Sequence, residues 1–251
     1  MAMTFDHWVT IVCSALVLSI FAFFSIFIFP FREWTEETKR RPRSFISNAL
    51  FREFWYFIMG PMKRRLIRWG VEPNTITIWG LFFSLAAGWA FSRGLFGTGG
   101  WLVILASTCD VYDGMLARAR NISLKSGAFF DSCLDRIGEI GMFYGFMWYF
   151  RMDAFWFMMV FVGLSSSQVV SYARARAEGL GFDGGVGFFQ RAERMIVMSI
   201  GMSLVPMIEL LSGTDAAIWV IKITISILTV GSLQTAVSRC YGIFKNIRAK
   251  E

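Results

Sequence analysis

The chain has 251 residues, 55% of them hydrophobic, and a mean hydropathy of +0.53, more apolar than an ordinary soluble domain. Its net charge of +7 and pI near 9.5 raise the question of a nucleic-acid partner, but the way the charge is distributed counts against one. Four cysteines (Cys13, Cys109, Cys133, Cys240) without C-x-x-C spacing and a single histidine, His7, argue against a disulfide frame, a zinc site or histidine-based catalysis.

In chain order, the first apolar run is Val9–Phe29. It exceeds the roughly 7–15-residue core of a signal peptide, and its leading segment Met1–His7 has no basic residue, so it reads as a retained anchor. With the charged connector Arg32–Arg43 it makes a first unit, residues 1–45. Residues 46–70 mix Leu50, Phe54, Trp55, Phe57, Ile58, Met62 and Leu66 with a basic end. That pattern predicts an amphipathic helix in the membrane interface, bent at Gly60-Pro61. Residues 71–251 then hold six apolar runs: Ile76–Phe91, Trp101–Leu116, Ala128–Phe150, Phe155–Val170, Met195–Leu211 and Ile218–Val237. A crossing needs about 20 mostly apolar residues, so seven crossings are expected once polar ends are counted. Pro73 opens the first bundle helix, with Asn74 and Thr75 as capping candidates. Gly97-Thr98-Gly99-Gly100 is expected to form the turn after that helix, and Gly179–Gly187 the turn between the fourth and fifth. The predicted fold is thus an all-α integral membrane protein: a six-helix transmembrane bundle, an extra N-terminal transmembrane helix and an interfacial amphipathic helix.

If the N-terminus lies outside, nearly all Lys and Arg fall on one side of the membrane, with Arg93, Arg151 and Lys222 the exceptions. This positive-inside bias makes that side cytoplasmic and accounts for the pI without nucleic acid.

The chemistry is concentrated between Asp110 and Asp135. Asp110 and Asp113 are three apart at the end of one helix, and Asp131 and Asp135 four apart near the start of the next, so each pair shares a face. The short connection makes the helices antiparallel neighbours, and four carboxylates meet in one volume. Each carboxylate in a membrane interior costs roughly 2.5–3.5 kcal/mol on insertion scales, so the cluster calls for divalent cations or protons. All-oxygen ligation favours Mg²⁺ or Mn²⁺, with Ca²⁺ also compatible, and two ions suit phosphoryl chemistry. Gly114 and Gly127 permit close approach of a ligand or simply of a neighbouring helix, and Arg118 meets a phosphate or simply faces solvent. Two aspartates alone are equally compatible with an ion path.

Taken whole, D-x2-D-G-x2-A-R-x8-G-x3-D-x3-D resembles the signature of the CDP-alcohol phosphatidyltransferase family, with every fixed position present. The resemblance extends to Pro73-Asn74-x-x-Thr77 and covers roughly residues 46–240. It implies metal ligation by Asp110, Asp113 and Asp131, and for Asp135 a general-base role together with contact to a metal. It further implies contacts to a CDP-lipid from Pro73, Asn74, Thr75, Ile76, Thr77, Gly114, Arg118 and Gly127, and a homodimer in the cell inner membrane with its site facing the cytoplasm. Some relatives carry Thr where this chain has Leu124, which leaves Ser123 or Ser126 to supply a hydroxyl.

Ser171–Glu178 and Gln190–Arg194 bring arginines from two helix ends to one Gly-rich loop, where they can converge on a phosphate or serve only the positive-inside bias. They resemble segments of phosphatidylinositol phosphate synthases, although Gln190 and Ala192 depart from the Glu and Pro common there. The implied acceptor is inositol 1-phosphate, held by Arg176 and Arg194, with Arg191, Arg174 and Lys125 as secondary ligands. Glycerol 3-phosphate, inositol and serine are the alternatives. A cation or proton transporter is the rival class, but it needs ionisable groups along the membrane depth, whereas these acids gather at one end.

Overall fold

The computed structural model describes residues 3–31, 49–120, 125–184 and 187–249. Among them are eight α-helices: α1 (Phe5–Phe23), α2 (Ala49–Arg68), α3 (Pro73–Ser92), α4 (Phe96–Ala119), α5 (Lys125–Tyr149), α6 (Ala154–Gly179), α7 (Arg191–Ser212) and α8 (Thr214–Arg248). α1 continues through a π-helical turn, Phe24–Ile28, and a 3₁₀ turn, Phe29–Phe31.

Helices α3–α8 form an up-and-down bundle, so α4, α6 and α8 end where α3, α5 and α7 begin. That shared end carries the aspartate motif; the opposite end is called the far end below. The molecule is an integral membrane protein. Among the described residues, five segments are long and apolar enough to cross a bilayer: Phe5–Phe31, α3, α6, α7 and α8. The expected seven included α4 and α5, which at 24 and 25 residues have the length but carry the motif's charges. Outward-facing Phe82, Trp89, Ile200 and Val230 are more than 40% exposed, as suits lipid contact.

Small residues set the closeness of the helices. A Cβ on Gly88 of α3 would collide with the Gly141 carbonyl of α5, and one on Gly145 with the Gly88 carbonyl. The two backbones therefore meet along a glycine seam. Above it Phe91, Phe96 and Phe146 stack, with Phe91 and Phe146 centroids 4.3 Å apart.

Two expectations are corrected. Gly97, Gly99 and Gly100 lie inside the first turns of α4, not in a turn. Side chains there would strike Thr10 and Pro206, Phe91, and Ser203 respectively, so smallness serves packing. The turn is instead Arg93–Leu95, where Gly94 takes φ +76°. At the start of α3, Pro73 holds the first turn as expected, but no side chain caps it. The helix α2, expected to lie in the interface, runs through Gly60-Pro61 as one helix.

Candidate active site

Asp110 and Asp113 sit in the last turns of α4, and Asp131 and Asp135 in the first turns of α5. The first turns of α3 close the third side. Thr77 donates from Oγ1 to Asp113 Oδ2 at 2.8 Å, with both residues buried. One turn on, Gly80 leaves room for Asp110, whose Oδ1 would lie 3.3 Å from a Cβ there. Thr77 thus orients a carboxylate, a role the motif alone did not disclose.

The other expected donor-lipid residues gather around this cradle. A Cβ on Gly114 would stand 3.2 Å from Arg118 Nη1, so Arg118 folds back over the glycine one turn earlier. A Cβ on Gly127 would stand 3.6 Å from Asn74 Oδ1, which brings the Pro73–Thr77 turn against the start of α5. Asn74 and Thr75 are exposed, Pro73 is half-buried and Ile76 is buried. Ser123 and Leu124 lie outside the described residues.

Arg191, in the first turn of α7, reaches into the cluster. It pairs through Nη1 with Asp110 Oδ2 and through Nη2 with Asp135 Oδ1, the second at 2.8 Å. With Arg191 so placed, no three acidic, Cys or His side chains among the described residues form a ready ligand set. The donors nonetheless suit a hard divalent cation. All are carboxylate oxygens, Thr77 already fixes Asp113, and Asp131 Oδ1 is buried without a hydrogen-bond partner among the described residues. Arg191 supplies between Asp110 and Asp135 the positive charge that the cluster requires.

Beside the aspartates lies a cavity of about 230 Å³, lined by Asp135, Arg136, Arg174, Arg191, Arg194 and Arg239, with Ser132, Ser171 and Gln190 among the polar neighbours. Asp135 and Arg191 belong to both places. The arginines do not divide as expected. Arg194 is fully buried and committed to Glu139, with Nε–Oε1 2.7 Å and Nη2–Oε2 3.2 Å, while its Nη1 donates to the Phe189 carbonyl. Arg176 and Lys125 are exposed and do not line the cavity. Arg176 is two residues from Arg174, and on a helix that spacing points the two side chains to different sides. Arg174 lines the cavity and pairs with Glu178.

Arg239 on α8 was legible only as one more basic residue. It is buried, donates from Nη1 to the Val170 carbonyl at 3.1 Å, and leaves Nε and Nη2 without partners among the described residues. Gly187 makes room for it, since a Cβ there would lie 2.8 Å from Nη2. No local sequence signal ties Arg239 to the site. Glu139 did have one: it stands four residues after Asp135, extending the Asp131–Asp135 stripe by a turn.

The arrangement joins four carboxylates to an arginine-rich cavity that suits a phosphorylated polar molecule. The profile of the CDP-alcohol phosphatidyltransferase family matches residues 71–231, more than half the chain. The phosphatidylinositol phosphate synthase of Mycobacteroides abscessus is 31% identical over 204 residues, covering 79% of this chain and 89% of that protein. The enzyme of the same name from Mycobacterium tuberculosis H37Rv is 32% identical over 197 residues, covering 76% and 89%. Two crystal structures of the M. tuberculosis enzyme are similar at 30% identity over 73% of this chain. One has CDP-DAG bound (TM-score 0.64, 92% of that chain) and the other is in complex with manganese and citrate (TM-score 0.65, 88%). Motif, architecture and relatives agree, and the chain belongs to the CDP-alcohol phosphatidyltransferase family of enzymes, transferases of substituted phosphate groups.

Proposed function

We propose that this enzyme transfers the phosphatidyl group of CDP-diacylglycerol to inositol 1-phosphate, releasing CMP, at the cytoplasmic face of the cell inner membrane. The observation that carries this reading is the adjacency of the aspartate cradle to the arginine-lined cavity, with Asp135 and Arg191 shared between them. Similarity to two phosphatidylinositol phosphate synthases supports the acceptor, and the CDP-DAG and manganese complexes of a relative support the donor and the metal.

Asp110, Asp113 and Asp131 would hold divalent cations, Mg²⁺ or Mn²⁺ and two in number, which offset charge on the pyrophosphate and on departing CMP. Arg118 and the Pro73–Thr77 turn hold the CDP moiety. Arg174, Arg191 and Arg239 hold the acceptor's phosphate, and Arg194, through Glu139, fixes the start of α7 so that Arg191 one turn away faces the cavity. Asp135 accepts the acceptor's hydroxyl proton as its oxygen attacks the lipid-side phosphorus; the bond from that phosphorus to the CMP oxygen breaks. The basic residues at the motif end support its cytoplasmic placement, and the homodimer implied by resemblance is part of this reading.

The test is CMP release by purified enzyme with CDP-diacylglycerol and Mg²⁺, comparing inositol 1-phosphate, glycerol 3-phosphate, inositol and serine. Release stimulated by inositol 1-phosphate above the rest is expected. Preference for glycerol 3-phosphate would keep the chemistry and replace the acceptor.

A further inference from the structure

The helix α1 lies outside the residues that carry the family match, yet it does not stand free of the bundle. Its far end is clasped by polar contacts. Asp6 accepts from the backbone N–H groups of Gly97 at 2.9 Å and Thr98 at 2.7 Å. These are two of the orphan donors at the start of α4, which has no cap of its own. His7 Nε2 lies 3.4 Å from Glu209 of α7, and Thr10 fills the space left by Gly97. Asp6, His7 and Thr10 are all buried.

Between the clasp and the motif end α1 turns outward: Val12, Leu16, Leu18 and Phe23 are each more than half exposed. Burial resumes at Phe24, which is 0% exposed. It packs against α2, with ring centroids 5.6 Å from Phe54 and 5.1 Å from Phe57, and Phe21 meets Phe54 edge-on at 4.8 Å. Two residues past Phe57, the Met59 carbonyl accepts from Tyr112 Oη at 3.3 Å. Tyr112 stands between Asp110 and Asp113 in the motif. Arg120, from the same end of α4, reaches the Gly70 and Ile67 carbonyls at 3.4 and 3.5 Å. A chain of contacts thus runs from the far end, down α1, across α2, to the aspartate-bearing turns of α4.

We propose that α1 is a strut that sets α2 against the aspartate end of α4, with Asp6 and Phe24 as positioning residues, and thereby tunes how the enzyme holds its CDP-lipid donor. The donor assignment rests on the function proposed above; the strut does not. At about 1.5 Å per residue, Asp6 and Phe24 are about 27 Å apart along the helix, close to the depth of a bilayer's hydrocarbon core. Between Asp6 and Phe24, α1 turns mostly exposed apolar side chains to lipid, and these give no fixed register once the clasp is lost. Phe24 then no longer meets the same rings of α2.

The test is backbone hydrogen exchange over residues 57–68 in the full-length protein, with steady-state kinetics on the same samples. Phe24→Ala is expected to quicken exchange there by about tenfold, and Asp6→Ala to do so in the same segment from the far end. Phe24→Leu and Asp6→Asn should restore most of the protection. The donor KM should rise about three- to tenfold in both alanine variants, with kcat and acceptor KM within about twofold of wild type. A local packing defect at Asp6 does not reach α2, so unchanged exchange over 57–68 in Asp6→Ala overturns the strut even if both variants lose stability. Quickened exchange with an unmoved donor KM overturns the link to the donor. Absence of CMP release by wild type with every acceptor counts against the proposed function, and the exchange result still decides the strut.

Discussion

At the scale of single residues, the site is an arrangement of charges that each need a partner. Asp135 touches both the carboxylate cradle and the arginine-lined cavity, so Asp135→Asn keeps the shape and removes the proposed proton acceptor. Turnover should fall by about 10²–10⁴-fold with donor binding retained, read by CMP release and lipid binding. Thr77→Val removes the hydroxyl that holds Asp113 and should weaken Mn²⁺ binding about 10–100-fold, measurable by titration. Arg191→Ala removes a cation from between Asp110 and Asp135. It should leave Mn²⁺ binding unweakened while raising the KM of a phosphorylated acceptor about tenfold or more, a split that separates its two contacts. The buried Arg194–Glu139 pair is a different case. Glu139→Gln strands a fully buried guanidinium and should cost about 3–5 kcal/mol in stability, read by chemical unfolding in detergent.

Much of this was legible in the sequence, and the limits have physical causes. The aspartates lie within one motif of two adjoining helices, where spacing alone fixes which side chains share a face. Arg239 reaches the site from a helix remote in the chain, and nothing local marks such a meeting; Thr77 was expected beside the donor lipid, but its hydrogen bond to Asp113 was not. Arg176 and Arg194 were ranked ahead of Arg191 and Arg174 by resemblance, because spacing alone does not say which arginine turns to a buried acid. The acid that takes Arg194 is Glu139, which stands four residues after Asp135 on the same face of α5.

At the scale of helices, glycine decides how closely they pack. The Gly88–Gly141–Gly145 seam joins α3, which carries Thr77, to α5, which carries Asp131 and Asp135. Gly145→Ala places a methyl on a backbone carbonyl and should destabilise the bundle by about 1–3 kcal/mol. Since the seam sets the spacing of the site's two sides, Mn²⁺ affinity should fall as well, checked by thermal unfolding beside a metal titration. The sequence marked glycines as punctuation, but Gly97, Gly99 and Gly100 proved to be helix-packing positions. A Gly-rich string looks the same in a turn and at a crowded interface, and only the neighbours Thr10, Phe91 and Ser203 distinguish them.

At the scale of the whole molecule, the aspartate cluster and the arginine-lined cavity lie together at one end of the bundle. The far end carries the α1 clasp of Asp6, His7 and Glu209 beside the stacked rings of Phe91 and Phe146, which belong to an apolar core with Met198 and Met202. A lipid with its headgroup at the motif end and its chains alongside the helices has the matching polarity. The central claim is therefore transfer of the lipid-side phosphorus. CDP-diacylglycerol labelled with radioactive phosphorus at the phosphate next to the diacylglycerol should be incubated with enzyme, Mg²⁺ and inositol 1-phosphate. The account predicts that the label appears in a new lipid while the released CMP carries none. Label in the aqueous phase, or no label moving although donor and metal bind, would contradict it.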